Sequence, residues 1–110
     1  MQAKNEARAE ARIRTLKDRI ARLGPMRPGL LTVQYKDPAR KRGAYRQISY
    51  TFQRRSRSDY VRPDDLPRIR TELKNYARFK LLCERLVAES LALSKLRSSA
   101  SRSKPRPPSA

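Results

Sequence analysis

Two short segments concentrate positive charge in a way that suits phosphate binding. Segment 36–43 carries four cations in eight residues, and segment 54–57 carries three in four residues. Crowded cations repel one another at low salt, and a polyanion that neutralises them removes this repulsion. We therefore predict two adjacent turns that clamp phosphate, although solvated loops of a basic protein are the alternative. The candidate phosphate-binding residues are Lys36, Arg40, Lys41, Arg42, Arg54, Arg55 and Arg57.

Catalytic and metal-binding groups are scarce. The chain has no His and a single cysteine, Cys83, so it offers neither a disulfide nor a Cys/His zinc set. The adjacent carboxylates Asp64 and Asp65 would suit a metal-dependent nuclease, but their position at a predicted helix start explains them as N-terminal caps. We read Cys83 as a buried small residue. We expect a protein that is not an enzyme, has no cofactor or metal, and resides in a reducing compartment.

The overall charge favours a polyanionic partner. The 110 residues include 28 Lys+Arg and 10 Asp+Glu, a formal net charge of +18. Arginine supplies 20 of the cations; its planar guanidinium matches phosphate and stacks on bases, although a GC-rich coding bias would also enrich it. Segment 25–62, with ten cations and two acids, is the most basic part of the chain.

Helical periodicity marks both ends of the chain. Residues 3–23 are predicted to form a helix that ends at Gly24-Pro25, with Gly24 as a left-handed cap. A longer helix is predicted from about residue 66 to 96. Each has an apolar seam with coiled-coil spacing, and we favour packing of the two seams on each other over packing on a second chain. The first seam contains Ala9, Ile13, Leu16, Ile20 and Leu23; the second contains Ile69, Leu73, Tyr76, Phe79, Cys83, Leu86, Ser90 and Leu93.

A basic stripe lies beside the first seam. It is a second candidate nucleic-acid surface, and an ordinary solvated face explains it equally well. Its members are Lys4, Arg8, Arg12, Arg19 and Arg22. The cations opposite the second seam are interpreted as a solvated face.

Alternating apolar residues predict a three-stranded antiparallel meander over residues 30–35, 45–53 and 58–62, with a hairpin turn at 54–57. Ile48, Tyr50 and Phe52 share a face that should pack on the long helix, whereas Tyr45 should be exposed and stack on bases. The predicted fold class is α+β: a basic N-terminal helix, the meander, a long C-terminal helix and a disordered basic tail. The predicted ranges are 1–24, 25–97 and 98–110 for the helix, the meander with the long helix, and the tail.

Five short motifs follow one another from Met26 onward: Arg27-Pro28-Gly29, Leu31 to Tyr35, Gly43-Ala44-Tyr45, Tyr60-Val61-Arg62-Pro63 and Asn75-Tyr76-Ala77-Arg78-Phe79. In these motifs the chain resembles a family of short prokaryotic proteins of unknown function. The resemblance covers about 70 residues and implies the architecture above and a basic binding module. Relatives often carry paired cysteines in a zinc-ribbon-like loop; here that loop has none, so no metal role is expected.

The sequence thus predicts a non-catalytic, phosphate-directed nucleic-acid-binding module, an accessory subunit of a larger complex. RNA or a ribonucleoprotein is slightly favoured over duplex DNA, the latter in a mobile-element or defence complex. The alternative is a protein-interaction subunit or adaptor whose heptad seams pair with an acidic partner. No apolar stretch approaches the ~18 residues of a membrane span, so we expect no membrane partner. Because catalytic groups are scarce, we also expect no small-molecule substrate. The expected location is the cytoplasm, in association with the nucleoid or a ribonucleoprotein.

Overall fold

The computed structural model describes residues 2–102, with side chains over residues 3–100. It confirms the predicted α+β class, with a helix, a three-stranded antiparallel sheet and a long helix in that order. A 3-10 turn, Pro63–Asp65, precedes the long helix. The elements are α1 (Gln2–Ala21), β1 (Leu30–Asp37), β2 (Arg42–Phe52), β3 (Arg55–Val61) and α2 (Leu66–Arg102).

Helix α2 is longer than predicted. It continues through Arg102, so residues 98–102, which the sequence predicts as part of the tail, are helical. Serine and alanine do not break a helix, and Leu96 and Ala100 continue the spacing of the buried Leu93 as half-buried positions. The remainder of the predicted tail, residues 103–110, lies outside the described residues.

The chain divides into two compact units that differ from the predicted ranges. The helical unit combines α1 with the part of α2 from Phe79 onward. The sheet unit is Gly24–Arg78 and contains the whole meander and the first part of α2.

The helical unit is an antiparallel hairpin held by the two predicted seams. Ala9 and Leu16 of α1 are buried, as are Leu82 and Leu93 of α2. The α2 seam differs from the prediction at two turns. Leu82 is buried while the predicted Cys83 is half-buried, and Glu89 is half-buried while the predicted Ser90 is exposed. An α-helix has 3.6 residues per turn, whereas a heptad pattern assumes 3.5. Over the 37 residues of α2 this mismatch adds up, so positions predicted by heptad spacing no longer coincide with the buried face.

The sheet unit has a small core between one sheet face and α2. The register aligns Leu31, Ile48 and Asp59 across the three strands. Ile48 is fully buried and packs in a cluster with Val61 and Ile69. We call this side of the sheet the core face. Phe52 shares the core face but is 53% exposed, so the expectation that it packs on the long helix is wrong; the cluster covers only the middle of β2.

We call the opposite side of the sheet the open face. The strand residues of the core cluster, Ile48 and Val61, do not lie on it. None of its members is buried. Strand alternation and the register assign it Leu30, Thr32, Gln34 and Lys36 of β1, Gly43, Tyr45, Gln47, Ser49 and Thr51 of β2, and Ser56, Ser58 and Tyr60 of β3.

The second hairpin turn lies earlier than predicted. Phe52 pairs with Arg55, which leaves Gln53 and Arg54 as a two-residue turn with φ of 52° and 65°. Positive φ at both central residues is the requirement of a type I′ turn, which usually takes Asn-Gly. Because that signal is missing here, the sequence predicts the turn at 54–57, whereas Arg55 and Arg57 belong to β3.

The chain between α1 and β1 is fixed by side chains rather than by a glycine cap. Gly24 does not adopt a positive φ, contrary to the expectation of a left-handed cap. Helix α1 instead ends in a tight turn in which the Leu23 amide donates to the Ile20 carbonyl at 3.2 Å. The Asn75 side chain donates to the Pro25 carbonyl at 2.9 Å, and a Cβ at Gly24 would lie 3.3 Å from the same amide nitrogen. Gly24 therefore leaves room for Asn75.

Arg27 and Gly29 fix the same segment against the core face. The Arg27 guanidinium donates to Asp59 Oδ2 at 3.3 Å and lies 5.0 Å from the ring centroid of Tyr50. Gly29 has a φ of 144°, and a Cβ there would lie 2.6 Å from Cγ1 of Ile48. These contacts assign Arg27 a structural role despite its charge.

Candidate nucleic-acid interface

The first cation cluster gathers at the end of the sheet where β1 and β2 meet. Asp37 pairs with Arg42, so the loop itself is Pro38 to Lys41. The Asp37 carboxylate accepts the Arg40 amide at 3.4 Å, and the Lys41 amide donates to the Pro38 carbonyl at 3.3 Å. The turn is thus held by the Asp37 carboxylate and one backbone hydrogen bond, which leave the basic side chains in solvent. We call the four exposed cations at this end the β1–β2 cluster: Lys36, Arg40, Lys41 and Arg42.

The β1–β2 cluster is only partly neutralised. Asp37 is the one acid in the loop region, and its Oδ2 lies 4.0 Å from Arg40 Nε. An exposed pair at this distance is weak and is screened by salt. The cluster therefore keeps a strong net positive potential.

The second cation cluster lies at the other end of the sheet. Arg54 occupies the type I′ turn, and Arg55 and Arg57 pair with Phe52 and Tyr50 respectively. We call these three exposed arginines the β2–β3 cluster. Strand alternation places Arg55 and Arg57 on the core face beyond the buried cluster, beside the exposed ring of Phe52.

The two clusters are not adjacent, which corrects the prediction of a single clamp. Both hairpins share β2, so their turns lie at opposite ends of that strand. β2 has 11 residues, so the clusters are about 35 Å apart at ~3.3 Å per residue. A single ligand that contacts both clusters must span about 35 Å.

The stripe of α1 lies beside the packed seam, as predicted, with one member engaged in an ion pair. Arg8, Arg12 and Arg19 are exposed on α1, and Arg22 follows its last residue. Arg12 Nε donates to Glu89 Oε2 at 2.9 Å. The α2 residue Arg85 lines a concavity together with Arg12 and Arg19. The sequence pattern assigns Arg85 to a solvated face, because the α1–α2 alignment that brings it here has no signal in the sequence.

Tyr45 lies on the open face with a partner that sequence analysis did not select. Tyr45 is half-buried, so the expectation that it is exposed is wrong. Its ring centroid lies 6.4 Å from that of Tyr60 at an interplanar angle of 49°. Tyr60 is 62% exposed. The signal that would have selected Tyr60 is the position of the β2–β3 turn, because the turn sets the register that places Tyr60 opposite Gln47.

The acidic pair before α2 does not form the expected side-chain cap. Asp64 and Asp65 lie inside the 3-10 turn, whose N-cap residue is Arg62 and has no side-chain cap hydrogen bond. Asp65 instead pairs with Arg68 at 3.5 Å. The hydrogen bond from Arg68 to Glu72, together with the charge of that carboxylate, raises the pKa of Arg68. Among the described residues, no group of three or more metal-binding side chains comes together.

No protein-family model, curated protein or solved structure matches the chain. The resemblance to short prokaryotic proteins therefore stays a prediction. Within residues 2–102, none of the helices has the length and apolar character required to cross a membrane.

Proposed function

We propose that this protein is a non-catalytic nucleic-acid-binding module that contacts phosphates chiefly through the β1–β2 and β2–β3 clusters, with the exposed arginines of the α1 stripe as a second contact surface. The observation that carries the proposal is the presence of two exposed cation clusters at opposite ends of one small sheet. In this proposal the module is a cytoplasmic accessory subunit of a nucleoid or ribonucleoprotein complex, with RNA favoured over duplex DNA.

The spacing of the clusters supports an extended ligand. Their separation of about 35 Å is several times the Debye length of ~8 Å at physiological ionic strength. Each cluster is therefore neutralised separately, and a small anion bound at one leaves the other unpaired. Nucleic acid presents phosphates continuously, and about ten base pairs of duplex cover the same distance.

Salt dependence tests the proposal. Neutralising up to seven phosphates gives a slope of log K against log[salt] of roughly −5 for a single strand and −6 for a duplex. The measurement is fluorescence anisotropy with labelled RNA and DNA fragments of mixed sequence between 50 and 300 mM salt. Absence of binding at low salt, or a slope near zero, would refute the proposal.

The alternative, a protein-interaction subunit, has one observation in its favour. The heptad seams pack on each other in the helical unit, but Val87 and Leu91 are 66% and 54% exposed one turn apart on α2. Such a pair could accept a partner helix. Self-association that persists at 0.5 M salt, without affinity for nucleic acid, would favour this alternative.

A further inference from the structure

The open face is almost free of charge in a chain of which 35% is charged. Of its twelve members only Lys36 is ionised, whereas the core face carries four arginines and two aspartates along the same three strands. The remaining open-face side chains are chiefly hydroxyls, amides and the two tyrosines. Solvent-exposed sheet faces of basic proteins readily accept Lys or Arg, so exposure alone does not explain this composition.

Tyr45, Tyr60 and Lys36 form one shallow site on the open face, above Gly43. Gly43 has a φ of 69°, and a Cβ at this position would lie 3.0 Å from the Lys36 Cβ. The absence of a side chain there opens the floor between Lys36 and the tyrosines. The Tyr60 ring is tilted rather than stacked against that of Tyr45, and the residue is 62% exposed. The site thus combines an exposed aromatic ring with a single cation.

We propose that the open face binds the unpaired bases of a single-stranded nucleic acid, with one base stacked on Tyr60 and a neighbouring phosphate contacted by Lys36. This inference rests on the proposed function and narrows its ligand class from nucleic acid in general to single strands. Bases within a duplex are stacked on one another and present no free π-face, whereas splayed bases stack on exposed aromatic side chains.

The surroundings of the site fit a single strand. Hydroxyls such as those of Ser49 and Ser58, which lie 3.2 Å apart across the strands, can donate to or accept from base edges without sequence preference. The cation clusters at both ends of the sheet attract the backbone that carries those bases. A protein partner would need acidic side chains to match the charge of the clusters. The uncharged middle of the open face has no cations to pair with such side chains.

The test compares single strand and duplex binding by Tyr60 variants. The probes are a labelled ten-nucleotide RNA without self-complementarity and the same RNA annealed to its complement. Loss of one stacked base in Tyr60→Thr should weaken single-strand binding roughly 5- to 150-fold. Duplex affinity and the salt slope should stay unchanged, because no phosphate contact is removed. Tyr60→Phe keeps the ring and should bind as wild type.

Phe52→Thr is the matched control, because Phe52 is similarly exposed but lies on the core face. It should leave the discrimination between single strand and duplex unchanged. Threonine is a good strand former, and circular dichroism checks the fold. If Tyr60→Thr unfolds, Tyr60→Leu provides the same comparison, since it keeps apolar bulk without a π-face.

The outcomes separate this inference from the proposed function. Steep salt-dependent binding that Tyr60→Thr leaves unchanged overturns the open-face site and leaves phosphate binding intact. An equal loss on single strand and duplex also overturns it, because stacking requires unpaired bases. No salt-dependent binding to either probe overturns the proposed function itself.

Discussion

Arg12 of α1 and Glu89 of α2 form an ion pair, with 2.9 Å between Nε and Oε2. The pair explains how a carboxylate occupies a half-buried seam position, since an unpaired charge there would be poorly solvated. A second pair, between Arg97 and Glu10 at 2.9 Å, joins the same two helices. Both pairs fix the antiparallel alignment, and both use arginines that would otherwise contribute to the basic surface of the helical unit.

Arg12 should therefore contribute less to nucleic-acid binding than Arg19, which lies on the same helix face and has no salt bridge of 4.0 Å or less within the described residues. Arg19→Ala should reduce the magnitude of the salt slope by about 0.7 to 0.9, and Arg12→Ala by less. Arg12→Ala should instead lower the free energy of unfolding by roughly 0.5 to 1 kcal/mol. Anisotropy titrations and urea unfolding of the two variants measure both effects; equal slope changes would contradict the assignment.

The two cation clusters should act independently on a long ligand. Changing Arg40, Lys41 and Arg42 together to Ser should reduce the salt-slope magnitude by about 2 to 3, because three phosphate contacts disappear. Changing Arg54, Arg55 and Arg57 together to Ser should do the same. The combined variant should show the sum, since sites this far apart are additive.

A short ligand provides the control for this experiment. A five-nucleotide strand should be too short to contact both clusters, so each triple variant should lose less on it than on a twenty-nucleotide strand. Circular dichroism should change little in the β1–β2 variant, because its side chains are exposed. Lost folding with an unaltered slope would show that the β1–β2 loop is structural.

The sequence predicted the elements well because period-2 and heptad patterns are local. The positions of Ile48 in the core and of Leu16 on the packed seam follow from spacing alone. The arrangement of the candidate binding residues depends on the β2–β3 turn and on the length of β2, and neither has a clear signal in the local sequence. A type I′ turn formed by Gln53 and Arg54 has no Gly or Asn to mark it, so the register and the place of Tyr60 could not be derived. The separation of the clusters likewise required the full length of β2.

The type I′ turn should be improvable. Gln53 and Arg54 both adopt a positive φ, which costs non-glycine residues roughly 1 kcal/mol each. Replacing them by Asn and Gly should raise the free energy of unfolding by about 1 kcal/mol, measured by urea unfolding. Ser56→Gly in β3 is the control and should destabilise the sheet, because glycine weakens a strand interior. No gain in the turn variant would show that the turn has another conformation.

The seam of the helical hairpin can be tested with two leucines that lie two residues apart on α2. Leu93 is 8% exposed and Leu91 is 54% exposed. Leu93→Asp places an unpaired charge against α1 and should lower the free energy of unfolding by roughly 3 kcal/mol or more. Leu91→Asp should change it by no more than about 0.5 kcal/mol. Circular dichroism with light scattering follows both helix content and mass.

If the two seams pack within one chain, Leu93→Asp should lose helix content while the protein remains a monomer. If the seam instead joined two chains, the variant would keep its helix content while its mass fell by half. A third result, loss of helix in Leu91→Asp but not in Leu93→Asp, would mean that the buried side of α2 is the one with Val87 and Leu91. Since Ala9, Leu16 and Leu82 are buried along the same interface, we expect the first result.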